Sequence, residues 1–159
     1  MKRLLFMLLA LCLSSCDQII TQEDGDWDDI IKLSTRTLTL DATASSSHIT
    51  TEGTWWWILE NIRIDDEIFM LYSIEDEYIP DPAPSNYIAA TFGDPTVNSW
   101  SNEYQIIGFA HDWFTITRLS AQELKIDVEE NTTGEQRELR IYLEAGNYFD
   151  YITVLQASE

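Results

Sequence analysis

From Leu33 to the C-terminus, apolar and polar residues alternate with a period of two, as in strands that bury one face. The alternation is clearest at residues 35–40, 124–128 and 139–143, and turn sequences with Gly134 and Gly146 separate the last strands. No helical periodicity persists for more than a turn or two. The pattern predicts an all-β fold, and short strands with regular turns favour an immunoglobulin-like β-sandwich.

The middle of the chain adds further apolar segments and an interruption. Pro80, Pro82 and Pro84 fall within five residues, and proline neither continues a helix nor donates to an inner strand. We expect a long exposed loop here. The other candidate strands lie at 49–58, 62–64, 68–74, 87–92, 104–109, 113–117 and 151–156.

The N-terminus has the pattern of an export signal. Lys2 and Arg3 precede an apolar run over 4–13, which ends in Leu13-Ser14-Ser15-Cys16. The run is shorter than the about 20 residues that a membrane-spanning helix needs. Because it ends in cysteine, it resembles the bacterial lipoprotein signal, which implies removal of residues 1–15 and lipidation of Cys16. The alternative is an ordinary secretory signal with an incidental cysteine.

This resemblance predicts a lipid-anchored protein of the bacterial outer membrane or cell surface. Residues 16–32 are rich in aspartate and glutamate, and we interpret them as a lipidated acidic tether before a folded body at 33–159. The alternation of Asp24, Asp26 and Asp28 faintly resembles a calcium loop. The position of Gly25 and the lack of a suitably spaced glutamate favour a charged tether, so we expect no metal.

Composition narrows the ways in which the body can be stabilised. Cys12 would leave with the leader and Cys16 would carry lipid, so no cysteine remains for a disulfide or a thiolate metal site. Stability must then come from packing. The chain has six Trp, seven Tyr and six Phe residues, and all of them except Phe6 and Trp27 lie in the body, where aromatic rings can bury large apolar areas.

The strong negative charge excludes one class of partner. The chain has 28 acidic and 9 basic residues, and loss of Lys2 and Arg3 would leave 21 negative charges in excess. Proteins bind the phosphate backbone of nucleic acids through Lys and Arg, so we exclude nucleic acid as a partner. Anionic lipid headgroups are repelled as well, and membrane attachment would rest on the lipid anchor only. Neutral ligands such as glycans meet no comparable repulsion.

A family resemblance appears in the C-terminal third. Its residues are Trp113-Phe114-Thr115-Ile116, Leu124-x-Ile126-x-Val128, Asn131-Thr132-Thr133-Gly134, Arg137, Ile141-x-Leu143, Gly146-Asn147 and Ile152-x-Val154-x-Gln156. This arrangement resembles the BACON domain, a β-sandwich module common in exported Bacteroidetes proteins. Residues 38–40 and the Trp55–Trp57 strand resemble the first strands of that family. The resemblance covers 33–57 and 113–157, and it leaves 58–112 as an unmatched insert of extra strands with the proline-rich loop.

The resemblance implies a noncatalytic module of glycan-handling surface proteins, for which carbohydrate binding and a spacer role are rival functions. We expect a glycan or an envelope protein as the partner. The leading hypothesis is carbohydrate binding through exposed aromatics. The alternative is a structural spacer or protein-interaction subunit of an envelope assembly.

Aromatic residues supply the candidate glycan-binding positions. Side chains alternate along a strand, so Trp56 faces away from Trp55 and Trp57. Either the outward indole is available to a sugar ring, or the insert covers it as a second small core. Trp100 lies between Ser99 and Ser101, and such polar neighbours indicate an exposed loop. The candidates are Trp56, Trp100, Tyr104, Tyr78 and Tyr87.

Catalysis has little support in the sequence. His111 and Asp112 are adjacent, but neighbours on a strand point apart, and the chain has no G-x-S-x-G motif. No metal-ligand spacing links His48 to His111. The acidic runs 65–67 and 75–77 are most simply interpreted as solvated turns. We therefore expect that the protein is not an enzyme and that it has no catalytic residue, no cofactor and no metal. Hydrolase activity is a third hypothesis, after carbohydrate binding and the spacer or protein-interaction role.

Overall fold

The structure is a computed structural model that describes residues 28–76, 79, 82–93 and 105–159. These residues form ten strands and no helix, which confirms the all-β prediction. No helix that could cross a membrane occurs in these ranges. The strands are β1 (Thr37–Leu40), β2 (Ser45–Thr50), β3 (Trp57–Ile64), β4 (Glu67–Ser73), β5 (Tyr87–Gly93), β6 (Gln105–His111), β7 (Phe114–Ser120), β8 (Glu123–Val128), β9 (Arg137–Ala145) and β10 (Tyr148–Gln156).

All ten strands belong to one sheet, in the order β1-β10-β9-β3-β4-β5-β6-β7-β8-β2. The pairs β1–β10 and β4–β5 are parallel, and the other neighbours are antiparallel. β1 and β2 are the opposite edges of the sheet, yet residues 41–44 join them directly. The sheet must therefore curl back on itself. In agreement, β3 and β6 are in contact although two strands separate them in the sheet.

Curling gives the sheet one buried face, and the alternating apolar residues fill it. On β9, Leu139, Ile141 and Leu143 are fully buried, while the residues between them are partly exposed. β8 repeats the pattern with Leu124 and Ile126. A side chain of this size contributes about 1.5–3 kcal/mol when it is fully buried. The period-two pattern of the sequence thus specifies which face becomes the core.

Buried polar residues close one end of this core. Gln156 donates from Nε2 to the carbonyl of Glu129 (2.8 Å) and accepts from Arg137 Nη2 at its Oε1 (2.7 Å). The Arg137 guanidinium lies 4.7 Å from the ring centre of Trp113. Asn131 is also completely buried, and its backbone N–H donates to Ala42 in the loop between the two edge strands. This cluster ties the end of β8 to β10 and to the sheet edges.

A close backbone approach at Gly53 holds the segment before β1 in place. Its N–H donates to the carbonyl of Ile31, whose side chain is fully buried. A Cβ atom at this position would lie 2.1 Å from the carbonyl oxygen of Ile30. Only glycine therefore permits this contact.

We expect Gly53→Ala to lower the free energy of unfolding by about 2 kcal/mol, because the 28–31 segment must shift to admit the methyl group. Urea unfolding monitored by circular dichroism measures the loss. Glu52→Ala is the neighbouring control, since that side chain is exposed and forms only a surface ion pair with Lys32. Equal stability of the two variants would contradict the close approach.

Candidate functional site

A cavity of about 720 Å³ opens where the start of β3 meets β5, β6 and β9. Ligand pockets usually fall in this size range. We call it the Trp groove. Its lining residues are Trp55, Trp57, Ile58, Leu59, Glu60, Asn61, Met70, Phe92, Gln105, Ile106 and Glu144.

Two irregularities in the sheet shape this groove. Ile58 pairs with Leu143 and Ile62 with Ile141, so residues 59–61 of β3 stand opposite the single residue Tyr142. A second bulge, of one residue, lies on β6. Consecutive residues of β5 pair with Gly108 and Ile106, so Ile107 has no partner in the β5–β6 ladder. Bulges bend the strand and redirect side chains. Here residues 59–61 line the groove instead of continuing the β3–β9 ladder.

The three consecutive tryptophans alternate as predicted, but with the opposite choice of outward ring. Trp56 is only 1% exposed and belongs to the core, which corrects its selection as a glycan-stacking candidate. Trp56 lies an even number of residues from Ile58, Ile62 and Ile64, which are all buried on the same side. Trp55 is 48% exposed and lines the groove together with Trp57.

Trp55 and Trp57 form a preorganised aromatic corner. Their ring centres are 5.7 Å apart at an interplanar angle of 74°, an edge-to-face arrangement that aromatic pairs prefer. Trp57 donates from Nε1 to Oε2 of Glu144 on β9 (3.2 Å), which fixes the plane of its indole. A Cβ atom on Gly146 would lie 3.5 Å from the Trp55 ring, so the β9–β10 turn supports that ring from the side.

The back of the groove depends on a buried arginine. Arg118 Nη1 donates to Oε1 of Gln105 (2.9 Å), and the guanidinium lies 3.9 Å from the ring centre of Trp56. Burial lowers the pKa of Arg118 to about 10, so the group remains a cation at neutral pH. Because the amide oxygen of Gln105 accepts from Arg118, its NH₂ group remains to donate on the groove side.

A second cavity lies next to the first. This Tyr groove is lined by Glu60, Met70, Leu71, Tyr72, Ser73, Glu75, Asp76, Ile79, Tyr87 and Phe92. The rings of Tyr72 and Tyr87 lie 6.0 Å apart across the parallel pair β4–β5. Three residues, Glu60, Met70 and Phe92, line both cavities.

The grooves are acidic. Glu60, Glu144, Glu75 and Asp76 line them, and their described lining residues include no lysine, arginine or histidine. In the ranges that the structure describes, no group of three or more His, Cys, Asp or Glu residues could hold a metal ion. The available chemistry is therefore aromatic faces combined with carboxylates and amides.

The structure describes only some of the candidates that were chosen from the sequence. Tyr87 lies in the Tyr groove, whereas Tyr78, Trp100, Tyr104 and the lipidation candidate Cys16 lie outside the described residues. Sequence reasoning missed Trp55, Trp57 and Glu144 as groove residues. The sequence did contain a signal for the first two. Ile58, Ile62 and Ile64 are apolar and lie an even number of residues from Trp56, which indicates that Trp56 points into the core and that its two neighbours point outward.

Comparison with solved structures identifies a shared fold. The chain superposes on the NMR structure of a protein from Bacteroides thetaiotaomicron with a TM-score of 0.57 and 18% sequence identity, covering 89% of this chain and 97% of that one. At this identity the likeness concerns the fold alone. No protein-family model matches the sequence, and no curated protein matches it significantly.

Two enzymes give partial matches. The first is a Bacteroides ovatus GH5 xyloglucanase in complex with a heptasaccharide, with a TM-score of 0.36, 17% identity and coverage of 78% of this chain and 17% of the enzyme. The second is an endo-fucoidan hydrolase of glycoside hydrolase family 107, with a TM-score of 0.37, 12% identity and coverage of 85% and 14%. Both scores are too low to support a conclusion about this chain.

Proposed function

We propose that this chain is a noncatalytic carbohydrate-binding module whose ligand lies in the Trp groove. The observation that carries the proposal is the Trp55–Trp57 corner, with one indole fixed by Glu144 at the mouth of a cavity. A pyranose ring presents a row of C–H groups, which stack on the electron-rich face of an aromatic ring. Rings that are already held in place lose little entropy when a ligand binds.

The polar lining complements this aromatic corner. Glu60 and Glu144 accept hydrogen bonds, and Asn61 and Gln105 can donate from their NH₂ groups. Neighbouring hydroxyls of a sugar both donate and accept, so this mixture suits a polyhydroxylated ligand. A purely apolar ligand would leave the carboxylates and amides of the groove unpaired, at a cost in binding free energy.

The proposal extends to the architecture. If β1, β2, β3, β7, β8, β9 and β10 take positions A to G of an immunoglobulin-like sandwich, the pairs β2–β8, β7–β8, β3–β9 and β9–β10 correspond to B–E, D–E, C–F and F–G. β4 to β6 then form an insertion between C and D. This correspondence supports a BACON-like sandwich with extra strands.

The cellular context is proposed from the sequence. An export signal that ends in Cys16, followed by an acidic tether, supports a lipid-anchored protein of the bacterial outer membrane or cell surface. Mass spectrometry of the membrane fraction tests this part of the proposal. A diacylated or triacylated N-terminal cysteine is expected, and an unmodified Cys16 thiol on the processed chain would contradict it.

Affinity electrophoresis through gels that contain neutral polysaccharides tests the binding proposal. We expect retardation by at least one of xylan, mannan, β-glucan or xyloglucan, without shortening of the polysaccharide. We expect Trp57→Ala to weaken that binding about 30-fold, equivalent to about 2 kcal/mol, because the stacking surface and the Glu144 contact are both lost.

Tyr151→Ala is the matched control, since Tyr151 is an exposed aromatic that lines neither groove. Its affinity is expected to equal that of the unaltered protein. Equal weakening by both substitutions, or the absence of retardation in every gel, would contradict binding in the Trp groove. Release of reducing ends during incubation would instead favour the hydrolase hypothesis.

A second candidate, docking of an envelope protein, is favoured by a different observation. Ile68 on β4 and Ile74 just after it are 60% and 77% exposed. They lie at opposite ends of β4, and exposed large apolar side chains offer contact area to a protein partner. Crosslinking of the anchored protein in cells, with and without Ile74→Ser, distinguishes the two, because that substitution should abolish a protein crosslink and leave glycan binding unchanged.

A further inference from the structure

The Trp groove and the Tyr groove together extend the possible ligand beyond a single sugar. Glu60, Met70 and Phe92 line both cavities, so the two lie next to each other. The combined depression crosses β3, β4 and β5. At the usual strand spacing, β3 and β5 are about 10 Å apart, a distance that more than one pyranose ring is needed to span.

Each end of this path has its own aromatic pair. At one end Trp55 and Trp57 lie 5.7 Å apart, and at the other Tyr72 and Tyr87 lie 6.0 Å apart. The segment between them is lined by Met70 and Phe92 together with the carboxylate of Glu60. Two stacking platforms joined by a mixed apolar and polar floor match the repeating faces and hydroxyls of a sugar chain.

The negative charge of the two grooves determines which sugar chains can bind. Their described lining residues include acidic side chains at both ends and in the middle, and no basic ones. A uronic acid, sulfate or sialic acid unit would place a second negative charge near Glu60 or Glu144 without a cation to offset it. Uncharged sugar units meet no such repulsion.

We infer that the two grooves form one cleft that binds the interior of an extended, uncharged polysaccharide, with separate sugar units on the Trp55–Trp57 and Tyr72–Tyr87 pairs. This inference rests on the proposed function and adds the length and charge class of the ligand. The ligand is therefore a run of several neutral units, because a single sugar contacts only one of the two aromatic pairs.

Calorimetric titration with neutral oligosaccharides of increasing length tests the inference. The probes are the disaccharide and hexasaccharide of the polysaccharide that retards the protein most strongly. The hexasaccharide is expected to bind at least about tenfold more tightly than the disaccharide, since it reaches the second aromatic pair. Tyr87→Ala should remove this difference in affinity between the two lengths, whereas Trp57→Ala should weaken the binding of both ligands.

Tyr87→Leu repeats the test with an apolar side chain in place of the ring, in case the alanine variant folds poorly. Equal affinity for the two lengths, or an unchanged hexasaccharide affinity in a folded Tyr87 variant, would overturn the extended cleft while leaving glycan binding in the Trp groove intact. Binding of neither oligosaccharide would overturn both proposals.

Oligogalacturonides of the same two lengths test the charge class. The unaltered protein is expected to bind them much more weakly than the neutral oligosaccharides of the same length, and Glu60→Gln should strengthen this binding at low salt, because one repulsive carboxylate is removed. Oligogalacturonide affinity equal to that of the neutral hexasaccharide would overturn the restriction to uncharged chains.

Discussion

Replacing Trp56 with alanine is expected to lower the free energy of unfolding by about 4 kcal/mol. The indole is 1% exposed, so its removal leaves a large cavity in the core. Nε1 also donates to Thr51 Oγ1 (3.1 Å), and the ring covers the guanidinium of Arg118 at 3.9 Å. The variant therefore loses apolar burial, a buried hydrogen bond and the cation–π contact of a buried arginine.

Trp55→Ala is the matched control, because the neighbouring ring is 48% exposed. It should cost about 1 kcal/mol or less, so its unfolding midpoint in urea should stay well above that of Trp56→Ala. Urea unfolding followed by far-ultraviolet circular dichroism avoids the change in tryptophan fluorescence. A larger loss for Trp55→Ala than for Trp56→Ala would mean that the strand faces are reversed.

The period-two alternation predicted most of the strands, but the candidate strand 49–58 was wrong: it joins the end of β2 and the start of β3 across residues 51–56, which belong to neither strand. Ile126, Ile141 and Val154 point inward because a strand with one wet face allows no other arrangement. The partners of each strand could not be predicted in the same way. The parallel pairing of β1 with β10 joins residues more than 100 positions apart, and nothing in either short segment specifies that neighbour.

The candidate site shows the same limit at finer scale. The parity of Ile58 and Ile62 would have indicated that Trp55 and Trp57 face outward, yet it gives no cavity. The groove exists because residues 59–61 bulge opposite Tyr142, and the size of a bulge depends on the register of the partner strand. Glu144 enters the groove through the β3–β9 register and Gln105 through the β5–β6 pairing, so their isolated positions in the sequence carried no functional pattern.

The residues that carry the family resemblance have a structural explanation. Trp113, Asn131, Arg137 and Gln156 come together in the described core and close one end of it. None of them lines either groove. The C-terminal part of the motif thus contributes to the core, whereas Trp55 and Trp57, from the N-terminal part of the resemblance, line the Trp groove.

Asn131→Asp is the second substitution for which we expect a large effect, a loss of about 3 kcal/mol in the free energy of unfolding. Asn131 is fully buried, and its Nδ2 donates to the carbonyls of Glu135 (2.8 Å) and Ala157 (2.9 Å). Aspartate has nearly the same shape, but when ionised it offers those carbonyls only a negatively charged oxygen. The carbonyls of Glu135 and Ala157 would then lose this donor, and the buried charge would keep only the two hydrogen bonds from Thr133.

The pH dependence of this loss separates the electrostatic cause from a packing defect. Burial and the facing carbonyls should raise the pKa of the new carboxyl above its unfolded value, so folding takes up a proton. The deficit relative to the unaltered protein should therefore shrink as pH falls from about 7 to about 5. Asn131→Ala should show a deficit that does not change with pH. Asn147→Asp, at an exposed turn position, should stay within about 0.5 kcal/mol of the unaltered protein, and a pH-independent deficit for Asn131→Asp would contradict the buried-charge explanation.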